Sequence, residues 1–201
     1  MRETHTAISR RLGAAALALG VASVALVSGA SAVVVVNPYT CMGQPATITP
    51  VGNGPQNVTG TDGNDVIVTA DGNDTVDGLG GDDLICTVGG DDYVRGSDGN
   101  DFINAGKGND DAGGGFGNDT VIGAEGEDAL QGGDGTDEVY GQLGNDDLNG
   151  GGGDNDYVNG GDGADRLAGN DGTGDRCDGG VDAFPDSLHT DHGCEFVNNV
   201  P

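Results

Sequence analysis

Aspartate is the residue whose spacing most clearly suggests chemistry in this chain. Ten aspartates recur at a constant interval of nine residues, and three more continue the series at intervals of ten, nine and ten. A glycine stands two residues before each of the first ten, and an apolar residue stands two residues after every one of the thirteen. Because the apolar residue keeps a constant phase, the pattern indicates a structural repeat rather than low complexity. The thirteen are Asp65, Asp74, Asp83, Asp92, Asp101, Asp110, Asp119, Asp128, Asp137, Asp146, Asp156, Asp165 and Asp175.

Each nine-residue unit divides into a turn and a short strand. Residues 96–101 are typical of a turn, because glycine supplies positive φ and Asn and Asp tolerate it. Residues 102–104 then form a strand in which Ile103 alone points inward, since strand side chains alternate. Two units make one coil of eighteen residues, and coils stack about 4.8 Å apart. The repeat therefore predicts an all-β fold, a parallel β-roll solenoid with two nine-residue repeats per coil around a ladder of Ile, Val and Leu.

Stacking would place the aspartates of alternate units above one another on the same edge. Two unit charges about 4.8 Å apart repel by about 0.9 kcal/mol in bulk water and by about 3.5 kcal/mol at an effective dielectric of 20. A divalent cation between successive turns would turn this repulsion into attraction. Carboxylate and main-chain carbonyl oxygens suit Ca²⁺, whereas Mg²⁺ demands stricter octahedral geometry and Zn²⁺ lacks its usual His or Cys ligands here. The thirteen aspartates are therefore predicted ligands of multiple Ca²⁺ ions.

The units follow the pattern Gly-Gly-x-Gly-x-Asp-x-apolar-x, which residues 132–140 and 160–168 match at every specified position. This pattern resembles the RTX calcium-binding nonapeptide repeat. The resemblance covers roughly residues 60–178 and implies a β-roll with Ca²⁺ in each turn, held by the sixth-position aspartate and loop carbonyl oxygens. About eight to eleven ions would then bind at saturation. The chain also resembles secreted bacterial calcium-binding proteins at residues 41–48 and 175–180, whose patterns are Cys-x-Gly-x-x-Ala-Thr-Ile and Asp-x-Cys-x-Gly-Gly.

Two units depart from this pattern. Residues 51–59 have Gln56 in place of the aspartate but keep Val58 at the inward position, so this degenerate unit is predicted to cap the roll without a full site. Another unit combines Lys107 in the loop with Ala112, a small core residue, and a loose joint is predicted there.

Residues 1–32 have the layout of a secretory signal peptide: three arginines, an apolar run and a final Ala-Ser-Ala cleavage site. An uncleaved membrane anchor is the alternative, because apolar residues continue through 33–36. With cleavage, residues 33–59 would form an N-terminal cap, 60–178 the calcium-binding roll and 179–201 a C-terminal cap. The predicted location is extracellular.

The four cysteines of the chain predict two disulfides, because an even count in an exported protein is typical of a disulfide framework. Three pairings are possible. We prefer Cys41 with Cys86 and Cys177 with Cys194, because each pair brackets one end of the roll. Cys177 also occupies the inward position of its unit, so a short tail could fold back on it. Such disulfides would brace both end caps.

Charge and the absence of catalytic motifs exclude several classes of function. With 34 acidic and only 7 basic residues, the chain is a poor partner for nucleic acid or an anionic membrane. The sequence has no His-Glu-x-x-His and no Gly-x-Ser-x-Gly, so it is not predicted to be an enzyme. The predicted function is that of a secreted calcium-binding repeat protein that Ca²⁺ folds outside the cell, with calcium ions as its partners and no membrane contact after signal cleavage. The alternatives are a calcium-dependent cell-surface adhesin or envelope component, and a calcium-scaffolded hydrolase or toxin.

Overall fold

The computed structural model describes residues 39–49, 53–180, 187–188 and 194–198. Within these ranges the chain is all-β and consists of one two-stranded hairpin and two eight-stranded sheets. No helix in these ranges is long and apolar enough to cross a membrane. The predicted signal peptide lies outside the described residues.

The strands of the two large sheets alternate along the chain. The first sheet contains β4 (Val66–Val68), β6 (Leu84–Cys86), β8 (Phe102–Lys107), β10 (Thr120–Glu125), β12 (Glu138–Leu143), β14 (Tyr157–Asp162), β16 (Asp175–Asp178) and β18 (Cys194–Asn198). The second contains β3 (Asn57–Thr59), β5 (Thr75–Gly80), β7 (Tyr93–Asp98), β9 (Asp111–Phe116), β11 (Ala129–Asp134), β13 (Asp147–Gly152), β15 (Arg166–Asp171) and β17 (Ser187–Leu188). The hairpin joins β1 (Thr40–Cys41) to β2 (Gln44–Pro45) in antiparallel orientation.

Each strand of a large sheet pairs in parallel with the strand two places further along the chain. Val121 of β10, for example, lies between Ile103 of β8 and Val139 of β12. Each partner is eighteen residues away, which is the length of two repeats. The predicted parallel β-roll with two nine-residue repeats per coil is therefore confirmed.

The extra residue of the longer units does not disturb this register. In the turn before β14 it is accommodated by Asn155, which adopts a φ of 68°. Beyond that turn, Val139 pairs with Val158. The insertion is therefore absorbed in the turn and the inward positions stay aligned.

The core is one column of inward side chains between the sheets. Every inward position predicted from the repeat is buried in this column, including the small Ala112, which is 1% exposed. The predicted loose joint at Ala112 is not found, because β8 and β9 keep their registers with the strands on both sides. The column consists of Val58, Ile67, Val76, Ile85, Val94, Ile103, Ala112, Val121, Leu130, Val139, Leu148, Val158, Leu167 and Cys177.

Disulfides hold both ends of the roll, and both predicted pairings are confirmed. Cys41 of the hairpin is bonded to Cys86 of β6, and Cys177 of β16 is bonded to Cys194 of β18. The N-terminal segment also continues the first sheet, because Ile48 forms a parallel bridge with Ile67.

Candidate metal centre

The thirteen predicted ligands lie in two rows along the edges of the roll, and each is between 0% and 8% exposed. We call the row of turns that lead into the first sheet the first edge, and the row that leads into the second sheet the second edge. The first edge holds Asp65, Asp83, Asp101, Asp119, Asp137, Asp156 and Asp175. The second edge holds Asp74, Asp92, Asp110, Asp128, Asp146 and Asp165.

One oxygen of each carboxylate joins neighbouring coils. The backbone N–H of Asp83 donates to Oδ1 of Asp101 over 2.8 Å, and the N–H of Asp110 donates to Oδ1 of Asp128 over 2.9 Å. On the second edge this series of hydrogen bonds begins at Gln56, whose N–H donates to Oδ1 of Asp74 over 2.8 Å. The aspartates therefore hold the stacked turns together through Oδ1 even where Gln replaces the first carboxylate.

The other oxygen, Oδ2, is buried without a hydrogen-bond donor in most of these turns. Unsatisfied buried oxygens of this kind are costly, because a carboxylate loses its hydration and gains nothing in return. Among the described residues this holds for Asp74, Asp83, Asp92, Asp101, Asp110, Asp119, Asp128, Asp137, Asp146 and Asp156.

Burial raises the pKa of these carboxyls. The pKa of Asp101 is raised to about 6, and those of Asp110 and Asp119 are raised to about 7. Loss of hydration is the largest cause, and the backbone hydrogen bond to each carboxylate opposes it. For Asp119 the charges of Asp101 and Asp137 on the same edge raise the pKa further. The rows of aspartates therefore need either protons or cations beside them.

A glycine at the start of each regular turn leaves space beside the Oδ2 atom that has no hydrogen-bond donor. A Cβ on Gly96 would lie 2.2 Å from Oδ2 of Asp101 and 2.6 Å from the carbonyl oxygen of Gly114, one coil further along. We call this space the cradle of the turn. Gly141 borders an equivalent cradle, where its Cβ would lie 2.2 Å from Oδ2 of Asp146. The cradle thus brings together a carboxylate oxygen and a main-chain carbonyl oxygen from successive coils.

The donors of the cradle fit Ca²⁺. Carboxylate and carbonyl oxygens are hard ligands, and Ca²⁺ accepts six to eight of them in flexible geometry. In the described part of the chain, no three His, Cys, Asp or Glu side chains cluster as a conventional metal site would require. A cation held here would therefore depend on main-chain carbonyl oxygens from the glycine turns as well as on the carboxylates.

Asp65, at the N-terminal end of the first edge, has protein donors on both oxygens. Its Oδ2 accepts hydrogen bonds from the backbone N–H and the hydroxyl of Thr61 at 2.7 and 2.8 Å. Its Oδ1 accepts one from the hydroxyl of Thr47 at 3.2 Å. The hydroxyl groups of Thr47 and Thr61 thus end the row of aspartates on the first edge.

Sequence reasoning missed a second ladder, formed by the residue before each aspartate. The N–H of Asn118 donates to Oδ1 of Asn100 over 2.8 Å, and the N–H of Thr136 donates to Oδ1 of Asn118 over 2.9 Å. On the second edge the N–H of Glu127 donates to Oδ1 of Asn109 over 2.9 Å. These bonds run in the opposite direction to those of the aspartates. The recurring Asn-Asp pairs were the available signal, but the sequence suggested positive φ for Asn, which Asn100, Asn109 and Asn118 do not adopt.

Comparison with known proteins agrees with this geometry. No curated protein matches the chain. The RTX calcium-binding nonapeptide repeat matches it in four copies, at residues 51–86, 87–121, 122–155 and 151–175, which together span more than half of the chain. The chain therefore belongs to the family of RTX calcium-binding nonapeptide repeat proteins.

Proposed function

We propose that this protein is secreted, binds several Ca²⁺ ions in the cradles of its turns, and folds around them outside the cell. The observation that carries the proposal is the row of buried Oδ2 atoms without a donor, which in turns such as those of Gly96 and Gly141 lie beside a main-chain carbonyl oxygen of the next coil. The proposed side-chain ligands are the aspartates of the two edges. Ca²⁺ would satisfy their second oxygens and cancel the repulsion between coils.

Calcium binding and folding would be coupled in this protein. The unfolded chain is a strongly negative polymer, with a net charge of −27, and such chains resist collapse. The cradles exist only when successive coils are stacked, so the free energy of binding contributes directly to folding. The secretory layout of residues 1–32 and the two disulfides support a place outside the cell, where Ca²⁺ is plentiful.

Circular dichroism of the purified protein with its disulfides intact tests this proposal. We expect little β signal in a calcium chelator and a strong β signal on addition of excess Ca²⁺. Magnesium chloride at the same ionic strength is the control, because it screens charge equally but fits the cradle poorly. A protein that is equally β-rich in the chelator would refute the coupling.

A calcium-dependent adhesive role is the second candidate, and one surface favours it. The outer face of the second sheet carries a groove of about 1130 Å³ that is lined by Tyr93, Arg95, Phe116 and Gln131 among others. Tyr93 is 44% exposed and Phe116 is 61% exposed, so both aromatic rings are accessible to a partner. Fractionation of the producing cells tests this role: recovery on the cell surface in Ca²⁺ and release by a chelator would support it, whereas full recovery in the medium under both conditions would refute it.

A further inference from the structure

The two edges differ in the residue that borders each cradle. On the first edge this residue is glycine in the first five turns: Gly60, Gly78, Gly96, Gly114 and Gly132. On the second edge the first three turns have Thr69, Thr87 and Ala105 instead, and glycine begins at Gly123. These three side chains are 1%, 4% and 0% exposed, yet none belongs to the core column. They are buried in the edge itself.

A side chain at this position takes the space that a cation would need. A Cβ on Gly123 would lie 2.1 Å from Oδ2 of Asp128. At Gly141 it would lie 2.2 Å from Oδ2 of Asp146 and 2.6 Å from the carbonyl oxygen of Gly160. Distances this short leave no room for both a methyl group and a bound ion, and a methyl carbon cannot serve as a ligand.

The Thr87 hydroxyl engages the main-chain carbonyl oxygen that a cation in this cradle would need. It donates a buried hydrogen bond of 2.5 Å to the carbonyl oxygen of Ala105, which corresponds to the Gly160 oxygen of a regular cradle. Thr87 thus replaces a metal contact of this carbonyl oxygen with a protein hydrogen bond.

The backbone of these turns also departs from the regular path. The residue after the bordering position has positive φ in later turns of the second edge, with 90° at Ala124 and 77° at Gln142. Ala70 and Val88, the equivalent residues of the first two turns, do not have positive φ. The strands that precede these two turns, β4 and β6, are only three residues long, whereas β8, β10 and β12 have six. The first two turns of the second edge therefore have a different backbone conformation from the later turns of the same edge.

We infer that the calcium ladder is one-sided at the N-terminal end of the roll. Ca²⁺ fills cradles on the first edge from Gly78 onward, but on the second edge only from Gly123 onward. Asp74, Asp92 and Asp110 join the coils through Oδ1 without binding Ca²⁺. The Cys41–Cys86 disulfide, immediately before Thr87, fixes this end covalently. The inference rests on the proposed function and refines which turns perform it.

A matched pair of substitutions tests the inference. Asp92 and Asp101 lie in neighbouring turns on opposite edges, and both are 3% exposed. The ions bound to the full protein in excess Ca²⁺ are counted by native mass spectrometry. We expect Asp101→Asn to lose at least one ion and Asp92→Asn to bind as many as the unsubstituted protein. A loss of ions in Asp92→Asn equal to that in Asp101→Asn would overturn the inference. An unsubstituted protein that binds no Ca²⁺ would instead refute the proposed function.

The second test creates new calcium sites, so it does not depend on removing a carboxylate. The triple substitution Thr69→Gly, Thr87→Gly and Ala105→Gly opens the three filled cradles. We expect it to bind one to three more ions than the unsubstituted protein, with an unchanged β signal in circular dichroism. An unchanged number of ions in a correctly folded triple variant would contradict the inference.

Discussion

The backbone N–H of Asp101 donates a 2.7 Å hydrogen bond to Oδ1 of Asp119, one coil further along the first edge. This bond uses one carboxylate oxygen to hold the coils in register and turns the other, Oδ2, toward the cradle of its own turn. Each aspartate beside an open cradle therefore has two roles that belong to different atoms. Oδ1 positions the next turn, and Oδ2 is the proposed ligand of Ca²⁺.

Replacing Asp119 by Asn should separate these roles. The amide oxygen can still accept the N–H of Asp101, but an NH₂ group then points into the cradle and cannot bind a cation. We expect the calcium-loaded protein to lose about 1–3 kcal/mol of unfolding free energy, the usual cost of an unsatisfied buried group. Urea unfolding in excess Ca²⁺ measures this loss. Asp98→Asn is the control, because Asp98 is an exposed acid of the same roll; an equal loss in both variants would argue against a special role of Asp119.

Filling a single cradle should remove one calcium ion. A Cβ on Gly114 would lie 2.3 Å from Oδ2 of Asp119 and 2.5 Å from the carbonyl oxygen of Gly132. Gly114 does not have positive φ, so Gly114→Ala places a methyl group in the cradle without strain in φ, although the neighbouring coil must shift to admit it. We expect one ion fewer by isothermal titration calorimetry. Gly63→Ala is the control, since its Cβ would meet nothing within 4 Å, and normal stoichiometry in Gly114→Ala would show that the ion does not occupy this space.

The stability of the calcium-free roll should fall as pH rises. The pKa of Asp110 and Asp119 is raised from 3.8 to about 7 in the folded roll. The folded state therefore binds more protons than the unfolded chain between about pH 4 and pH 7, and its stability is lost as pH rises through this window. At low pH, protons would thus neutralise the buried carboxyl groups in place of Ca²⁺.

Circular dichroism of calcium-stripped protein at pH 4.5 and pH 7.5 checks this dependence. We expect more β structure at the lower pH, and we expect excess Ca²⁺ to remove the difference by restoring β structure at the higher pH. A calcium-free roll that becomes more stable as pH rises would contradict the origin that we assign to the pKa shifts.

The C-terminal disulfide should stabilise the last coil. Cys177 and Cys194 are 17 residues apart, and closing a loop of this size contributes about 3 kcal/mol through the entropy of the unfolded chain. We expect the double variant Cys177→Ser and Cys194→Ser to unfold at lower denaturant in excess Ca²⁺. Hydrogen exchange should become faster in β16 and β18 while β8 and β10 keep their protection. Equal loss of protection along the whole roll would show that the disulfide does more than hold one end.

The strict period made the fold predictable from sequence. The phase of Ile103 and its equivalents determined the core column, the two sheets and the length of the coil, because any other register would expose these side chains. The thirteen aspartates were placed on the two edges for the same reason. The confirmed disulfides followed from their positions at the two ends of the repeat.

The different roles of the aspartates in different turns were not predictable from their spacing alone. The pattern gave Asp92 and Asp101 the same role, although Thr87 borders one cradle and Gly96 the other. The difference depends on whether a side chain or open space lies beside Oδ2, and this becomes visible only when coils are stacked. The Asn ladder was missed for a related reason, since its bonds join residues eighteen apart, such as Asn100 and Asn118.

A calcium titration of the purified protein, with calorimetry for stoichiometry and circular dichroism for folding on the same samples, tests the central claim most directly. The account predicts that several ions bind per chain and that the β signal rises in step with their binding. A roll that is fully formed before any Ca²⁺ is added, or a β signal that rises with no ions bound, would contradict it.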